Sequence, residues 1–404
     1  MIKKKILYKN KISRKYLDKK YLKELSKRFD NKFSRIVNEI NDPKKTLNIL
    51  NRNFKFNFNF KDLKRFRKFQ DIAIIGMGGS ILGAKAINEF LKVKIKKKVY
   101  FFDDLNENIY NKLKKKNTKR ILFLVISKSG NTTETLSNLF ALKILKKNLK
   151  NIILISENEN NILKSISKKF NLYFVQHKNN VGGRYSVLSE VGIIPLYFMG
   201  LSFRKLRMNI QSFLKGTKKS YLKESSILLA CLLKKKKINN LIFLNYSSNL
   251  EKFLFWCQQL IAESLGKKGF GFMPTISNMP RDHHSLLQLY LDGPKDKFFY
   301  IFSSDQENEQ KIITTKITEK KFYLNNKSLK DIKFSQKESL KKALNKNNIP
   351  FREFHISKHN EETLGELFSY FILETILIAK LLNIDPFNQP AVEQVKIYTK
   401  KLLN

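Results

Sequence analysis

Between Ser127 and Thr135 the chain sets five hydroxyl side chains into nine positions, in the stretch ISKSGNTTETL (126–136), directly after the apolar run ILFLVI (121–126). A Ser or Thr at a helix start caps one of the orphan N–H groups there, which accounts for one or two of the five, Thr132 or Thr133 first. The others suit a second role. Hydroxyls donate to oxygen and rotate freely. Beside the N–H groups of a positive helix end they form a cradle for a phosphomonoester, with a sugar phosphate as the natural guest. Taken alone such a loop is more often a polar turn; the strand before the stretch and the helix after it bring the anion site level with that reading.

A second loop, IIGMGGSILGAKAI (74–87), carries Gly76, Gly78 and Gly79, which let backbone approach backbone or ligand closely before a helix begins. It is no dinucleotide fingerprint: G-x-G-x-x-G needs glycine where Ile81 stands, although Asp103 and Asp104 lie at a tolerable distance downstream. The G-K-[ST] of a Walker loop is missing as well. His283 and His284 lack H-E-x-x-H and a third ligand, and Cys231 and Cys257 lack ligand spacing, so neither a metal nor a cofactor is expected. Adjacent side chains generally point apart, so at most one histidine of the pair should face a site. His177, His355 and His359 are read as ordinary.

These loops need a scaffold that ends strands beside helix starts. Short apolar runs alternate with helical segments: DIAIIG (71–76), VYFFDD (99–104), ILFLVI, NIILIS (151–156) and LYFVQH (172–177), then NLIFLN (240–245), FFYIFS (298–303) and FREFHIS (351–357). That alternation predicts an α/β protein with parallel sheets covered on both faces, in which ligands bind at the carboxyl ends of strands. At 404 residues two domains are expected. The boundaries are 1–60 for an N-terminal segment, 61–215 for a first domain and 216–404 for a second, with a crevice between them. Residues 1–50 read as basic helices, with Leu22, Leu25, Phe29, Phe33, Ile36, Val37 and Ile40 near helical spacing, and FKFNFNF (54–60) alternates as an extended stretch.

The 79 Lys and Arg against 34 Asp and Glu give a net charge of +45, which raises the question of a polyanionic partner. The excess is mostly Lys, spread along the whole chain with many Asn, Ile and Phe, and no nucleic-acid recognition motif accompanies it. It reads as compositional drift that would also steer a small anionic substrate. No apolar run approaches a membrane span and the start has no signal-peptide pattern, so a cytoplasmic protein is expected.

ISKSGNTTETL resembles the phosphate-binding loop of sugar isomerase domains, and further blocks follow in order: GMGGSILGAKAI (76–87), VGGRYSVLSEVGIIPL (181–196), QQLIAESLGKK (258–268), DHHSLLQLYLDGPKDKFF (282–299) and DPFNQPAVEQVK (385–396). Together they resemble the phosphoglucose isomerase family in its shorter bacterial form. The resemblance implies two sugar-isomerase-type αβα sandwich domains, an obligate homodimer with sites at its interface, and metal-free interconversion of glucose 6-phosphate and fructose 6-phosphate through a cis-enediolate. By motif position Ser127, Ser129 and Thr132 would hold the phosphate of the hexose, with Gly79 and Ser80 beside the sugar. Glu263 would be the base, Arg184 the fixed cation near the reacting carbons, and His284 the ring-opening acid donated across the dimer. Lys396 and Gln389 would meet the sugar from the C-terminus.

The chemistry suits those types. A carboxylate shuttles a proton between C2 and C1, an imidazole titrates near neutrality as ring opening needs, and a guanidinium stabilises an enediolate without losing its own proton. Two residues depart from the family pattern: Asn388 stands where Asp is usual and Met77 where Ile is usual, and Asn388 weakens the assignment of Gln389. Competing readings are a bifunctional phosphoglucose/phosphomannose isomerase, an amino-sugar phosphate isomerase, a non-catalytic sugar-phosphate-binding regulator, and a nucleic-acid binder supported by charge alone.

Overall fold

The uninterrupted apolar runs become strands covered on both faces. The computed structural model describes residues 6–114, 117–147, 149–305, 309–314 and 322–403. Within them lie the strands β1 (Ile6–Lys11), β2 (Asp71–Ile75), β3 (Val99–Phe102), β4 (Ile121–Ile126), β5 (Ile152–Ser156) and β6 (Tyr173–Gln176). They are followed by β7 (Asn240–Asn245), β8 (Met273–Asn278), β9 (Lys297–Ser304), β10 (Lys311–Ile312), β11 (Lys327–Ser328) and β12 (Phe351–Ile356). Every residue of β4 and of β9 is buried, as expected for central parallel strands.

One sheet has the order β3-β2-β4-β5-β6, all parallel; the other has β8-β7-β9-β12-β1, parallel except for its last member, and β10 and β11 form a separate antiparallel pair. In the first sheet Ile74 lies opposite both Phe101 and Leu124, so β2 is central. The chain leaves β2 for β3 on one side and returns to β4 on the other. The loops after β2 and β4, the glycine and hydroxyl stretches, therefore flank a topological switch point.

Two local expectations need correction, and one strand had no apolar run to announce it. Residues 6–11 form a strand: they pair antiparallel with β12, and the Tyr8 ring packs among Phe213, Tyr221, Phe354 and Tyr370 at 4.7–5.7 Å. Residues 1–5 lie outside the described part, and the helical reading holds for Lys19–Asn41, which buries Leu25, Phe29, Phe33, Ile36 and Ile40. The FKFNFNF stretch joins no sheet; its alternating phenylalanines pack on one another and on Phe203, which stacks on Phe60 at 4.3 Å. β8 carries Pro274 and is only partly buried, as an edge strand is, and it lacks the apolar run that marks its neighbours.

The second sheet is tied to helix Glu361–Leu381 by a buried cation. Arg352 of β12 is fully buried, and its Nη2 and Nη1 donate to the two carboxylate oxygens of Glu374 at 2.9 and 3.2 Å. Nη1 also donates to the Tyr300 hydroxyl of β9 at 2.9 Å, and Nε to Asn10 of β1 at 2.8 Å. Removing one partner strands the other charge away from water, whereas replacing both removes the need for pairing. Glu374→Ala is therefore expected to cost about 3–5 kcal/mol of stability, and Arg352→Leu/Glu374→Leu to recover most of it. Denaturant midpoints at equal slope measure both.

Candidate active site

The hydroxyl loop opens toward a cavity of about 440 Å³ between the two sheets. Thr132 is the N-cap of helix Thr133–Ala141, yet its side chain caps nothing; its hydroxyl lies 2.8 Å from that of Ser127, which is 2% exposed. Thr135 is buried inside the helix. The first N–H groups of the helix are thus left without a side-chain cap, with Ser129 and Thr132 lining the cavity before them. Ser127 stands behind Thr132 as its partner. The turn closes through Gly130 at φ +66°, where an added Cβ would lie 2.0 Å from Asn161 Oδ1.

The glycine loops meet each other more than they meet open space. A Cβ on Gly79 would stand 2.2 Å from the carbonyl carbon of Gly183 and 2.6 Å from the Arg184 nitrogen. The close approach that the glycines before Arg184 permit is thus between two backbones, and it locks the loop bearing Ser80 against the loop bearing Arg184. Gly79→Ala is expected to fold poorly, or to lose catalytic turnover by about a hundredfold or more because the shift needed to seat the added methyl is about 1 Å at the cavity wall. Soluble yield and kcat of the variant decide.

Arg184 is 3% exposed and fully engaged. Its Nε donates to Ser264 Oγ (3.0 Å), Nη1 to Glu263 Oε2 (3.0 Å) and Gln389 Oε1 (3.1 Å), and Nη2 to the carbonyls of Pro386 and Asn388. The Tyr185 hydroxyl joins the same knot, 2.7 Å from Ser264 Oγ and donating to the Pro386 carbonyl. Helix Glu251–Leu265 presents Gln259 and Glu263 one turn apart, and Gln259 Nε2 donates to Glu263 Oε1 at 2.8 Å. Both carboxylate oxygens are therefore held, one by a cation and one by an amide, while the carboxyl still lines the cavity. The Asn388 side chain is exposed and it is the backbone carbonyl that reaches Arg184, so the departure at this position leaves the Arg184–Gln389 contact in place.

Eight of the ten residues singled out in the sequence line this one cavity: Gly79, Ser80, Ser129, Thr132, Arg184, Glu263, Gln389 and Lys396. Ser127 backs it. His284 does not reach it within one chain; it is exposed at the end of the turn Arg281–His283, whereas His283 is held by the Tyr246 hydroxyl at 2.8 Å. Lys396 sits on the exposed helix Pro390–Leu403, paired with Glu393 at 2.7 Å. The sequence reading missed Gln259, Phe387 and the ion pair of Lys128 with Glu157 (3.4 Å), all of which line the cavity. Gln259 carried a readable signal, since it precedes Glu263 by one helical turn. Among the described residues no group of three or more His, Cys, Asp and Glu side chains is placed to hold a metal ion.

Beside the knot, burial and then the neighbouring Arg184 charge push the Lys267 ammonium down to about 8. Lys267 donates to the Asp385 carbonyl at 2.6 Å. Competitive acylation with trace anhydride across pH 6–11, read by mass spectrometry, should give Lys267 a titration midpoint near 8, against about 10.4 for an ordinary lysine; an ordinary midpoint would show that Lys267 is solvated.

Comparison with known proteins bears on family and fold. The family profile described as Phosphoglucose isomerase matches residues 36–272. A Methanococcus maripaludis protein named "Probable glucose-6-phosphate isomerase" is 34% identical over 93% of this chain and 87% of its own length. A "Glucose-6-phosphate isomerase" of Campylobacter jejuni is 32% identical over 83% and 86%. In structure, a glucose-6-phosphate isomerase from Chlamydia trachomatis superposes with a TM-score of 0.78 at 16% identity, covering 99% of this chain and 88% of its own. A hypothetical protein from Thermus thermophilus superposes with a TM-score of 0.82 at 23% identity, covering 98% and 100%. At those identities the structures speak for the fold, while the sequence matches speak for descent: the chain belongs to the phosphoglucose isomerase family.

Proposed function

We propose that the cavity between the sheets is where this chain interconverts glucose 6-phosphate and fructose 6-phosphate, the aldose–ketose step shared by glycolysis and gluconeogenesis, with Glu263 as the base. The observation that carries this reading is the placement of a clamped carboxylate and an uncapped, hydroxyl-lined helix end on the walls of one cavity. The helix end, with Ser129 and Thr132, takes the phosphate, and Ser127 fixes the Thr132 rotamer. Glu263 removes the proton from C2 and returns it to C1. Arg184 lies on the same carboxylate and supplies fixed positive charge where the enediolate develops; being buried and fully bonded, it needs no reorganisation as charge appears. Gln389 and Ser80 contact sugar hydroxyls, with the Gly79 backbone beside them. Lys396, which also lines the cavity, assists ring opening.

Ring opening also needs an acid near neutrality, and His284 belongs to a second copy in this reading. Two observations support a homodimer: His284 is exposed away from the cavity of its own chain, and helix Pro390–Leu403 has no buried residue while exposing Val395, Ile397, Tyr398, Leu402 and Leu403. Among the described residues no helix is long and apolar enough to cross a membrane. A cytoplasmic site of action fits the hexose phosphate substrate.

In a coupled assay of fructose 6-phosphate conversion with chelator present, Glu263→Gln should lower kcat by about 10³-fold or more while KM moves less than about threefold. An active Glu263→Gln enzyme would remove the base role. Co-expressing Glu263→Gln with His284→Ala chains tests the donation: a random mixture should regain about a quarter of wild-type activity, because half of the dimers then hold one intact site. A mixture as inactive as its parents would place the histidine's action within one chain.

A further inference from the structure

The three segments that lead into β2, β4 and β5, residues 64–70, 111–120 and 142–151, hold 14 Lys and Arg and no Asp or Glu. At the chain's own ratio of 79 basic to 34 acidic residues, that many charged positions would include about four acids. Compositional drift scatters lysines; it does not clear the acids from three segments that meet in the fold. β2, β4 and β5 are neighbours in the first sheet, so its topology gathers the segments along its amino edge. The glycine and hydroxyl loops leave β2 and β4 at the carboxyl edge. At about 3.3 Å per residue, the length of β4 sets the two edges roughly 17–20 Å apart.

A groove runs along the basic edge. One part, of about 650 Å³, is lined by Lys68, Lys119, Arg120, Lys143, Lys146 and Lys150; the next, of about 760 Å³, shares Lys68 and Lys150 and adds Arg65. All of these residues are exposed, and no carboxylate lines either part. Asp62 and Asp71, which bracket the first segment, line neither. Among the described residues none of these cations has a partner in an ion pair or a side-chain hydrogen bond. Between them the floor is apolar, built from Phe69, Phe123, Leu142 and Leu149. At the far end the Arg65 guanidinium lies 5.0 Å over the Tyr173 ring.

We propose that this groove binds single-stranded RNA along its phosphate backbone, without regard to base sequence. A row of unpaired cations in a concave surface matches a linear run of phosphates, each of which releases a counterion on contact. The apolar floor receives the flat faces of bases, which an acidic polypeptide lacks. A bilayer surface is flat and would meet only the rim. Backbone binding carries no sequence information, so it needs no recognition motif. The groove stands at the opposite edge of the sheet from the active-site loops, and the inference is independent of the isomerase assignment.

The test is fluorescence anisotropy of a labelled oligouridylate of about 20 nucleotides, titrated with the full chain between about 50 and 200 mM salt. Lys119→Glu/Lys146→Glu/Lys150→Glu should weaken binding by about thirtyfold or more at the low-salt end. It should also lower the slope of log affinity against log salt by about two, as the loss of three phosphate contacts on a single strand requires. Lys20→Glu/Lys23→Glu/Lys27→Glu makes the same change in net charge at exposed positions of helix Lys19–Asn41, and should move the affinity by less than about threefold. Thermal melts establish that both variants are folded. The proposal is overturned if the chain does not bind the oligonucleotide at low salt, if both variants lose affinity equally, or if polyglutamate of matching charge competes as well as unlabelled RNA.

Discussion

A guanidinium buried to 3% exposure must find an acceptor for each donor, and Arg184 finds them on segments far apart in the chain. Ser264 and Glu263 come from the end of one helix; Pro386, Asn388 and Gln389 come from the segment leading to the C-terminal helix. The loop that carries the arginine is itself pinned by the contact of Gly183 with Gly79. One buried cation thus fixes the glycine loop, the carboxylate and the C-terminal arm to a common point. The cavity exists because those three walls cannot move independently.

That arrangement also joins the two sheets. The first sheet supplies the hydroxyl and glycine loops at its switch point. The second contributes through helix Glu251–Leu265, which leaves its own central strand and ends with Glu263 on the cavity of the first. A helix of 15 residues spans roughly 22 Å, enough to carry a side chain from its own sheet toward the switch point of the other. Neither sheet with its helices alone holds both the hydroxyl-lined helix end and the Glu263 carboxylate.

Much of this was legible in the sequence, for identifiable reasons. Central parallel strands are buried on both faces, so β4 and β7 stand out as apolar runs with their observed bounds. β1 and β8 were not legible because edge strands need no such run, and β1 depends on a partner more than 300 residues away. The hydroxyl loop announced an anion site by composition, but only the structure shows that Thr132 turns to Ser127 and leaves the helix end open. Glu263 and Arg184 came from motif resemblance, and their contact at 3.0 Å across 79 residues has no local signature. Gln259 was readable in principle from helical spacing. His284 was legible as chemistry, and its distance from the cavity of its own chain has a ready account in the homodimer proposed above.

The site depends on Arg184 as a fully bonded cation that positions Glu263 through one of its carboxylate oxygens, and kinetics of Arg184→Lys test this most directly. A lysine keeps the charge but cannot span a hydroxyl, a carboxylate, an amide and two carbonyls at once. Per folded protein, kcat for fructose 6-phosphate should fall by about 10²-fold or more, with KM changing far less. A variant that folds normally and turns over within a few-fold of wild type would contradict the claim.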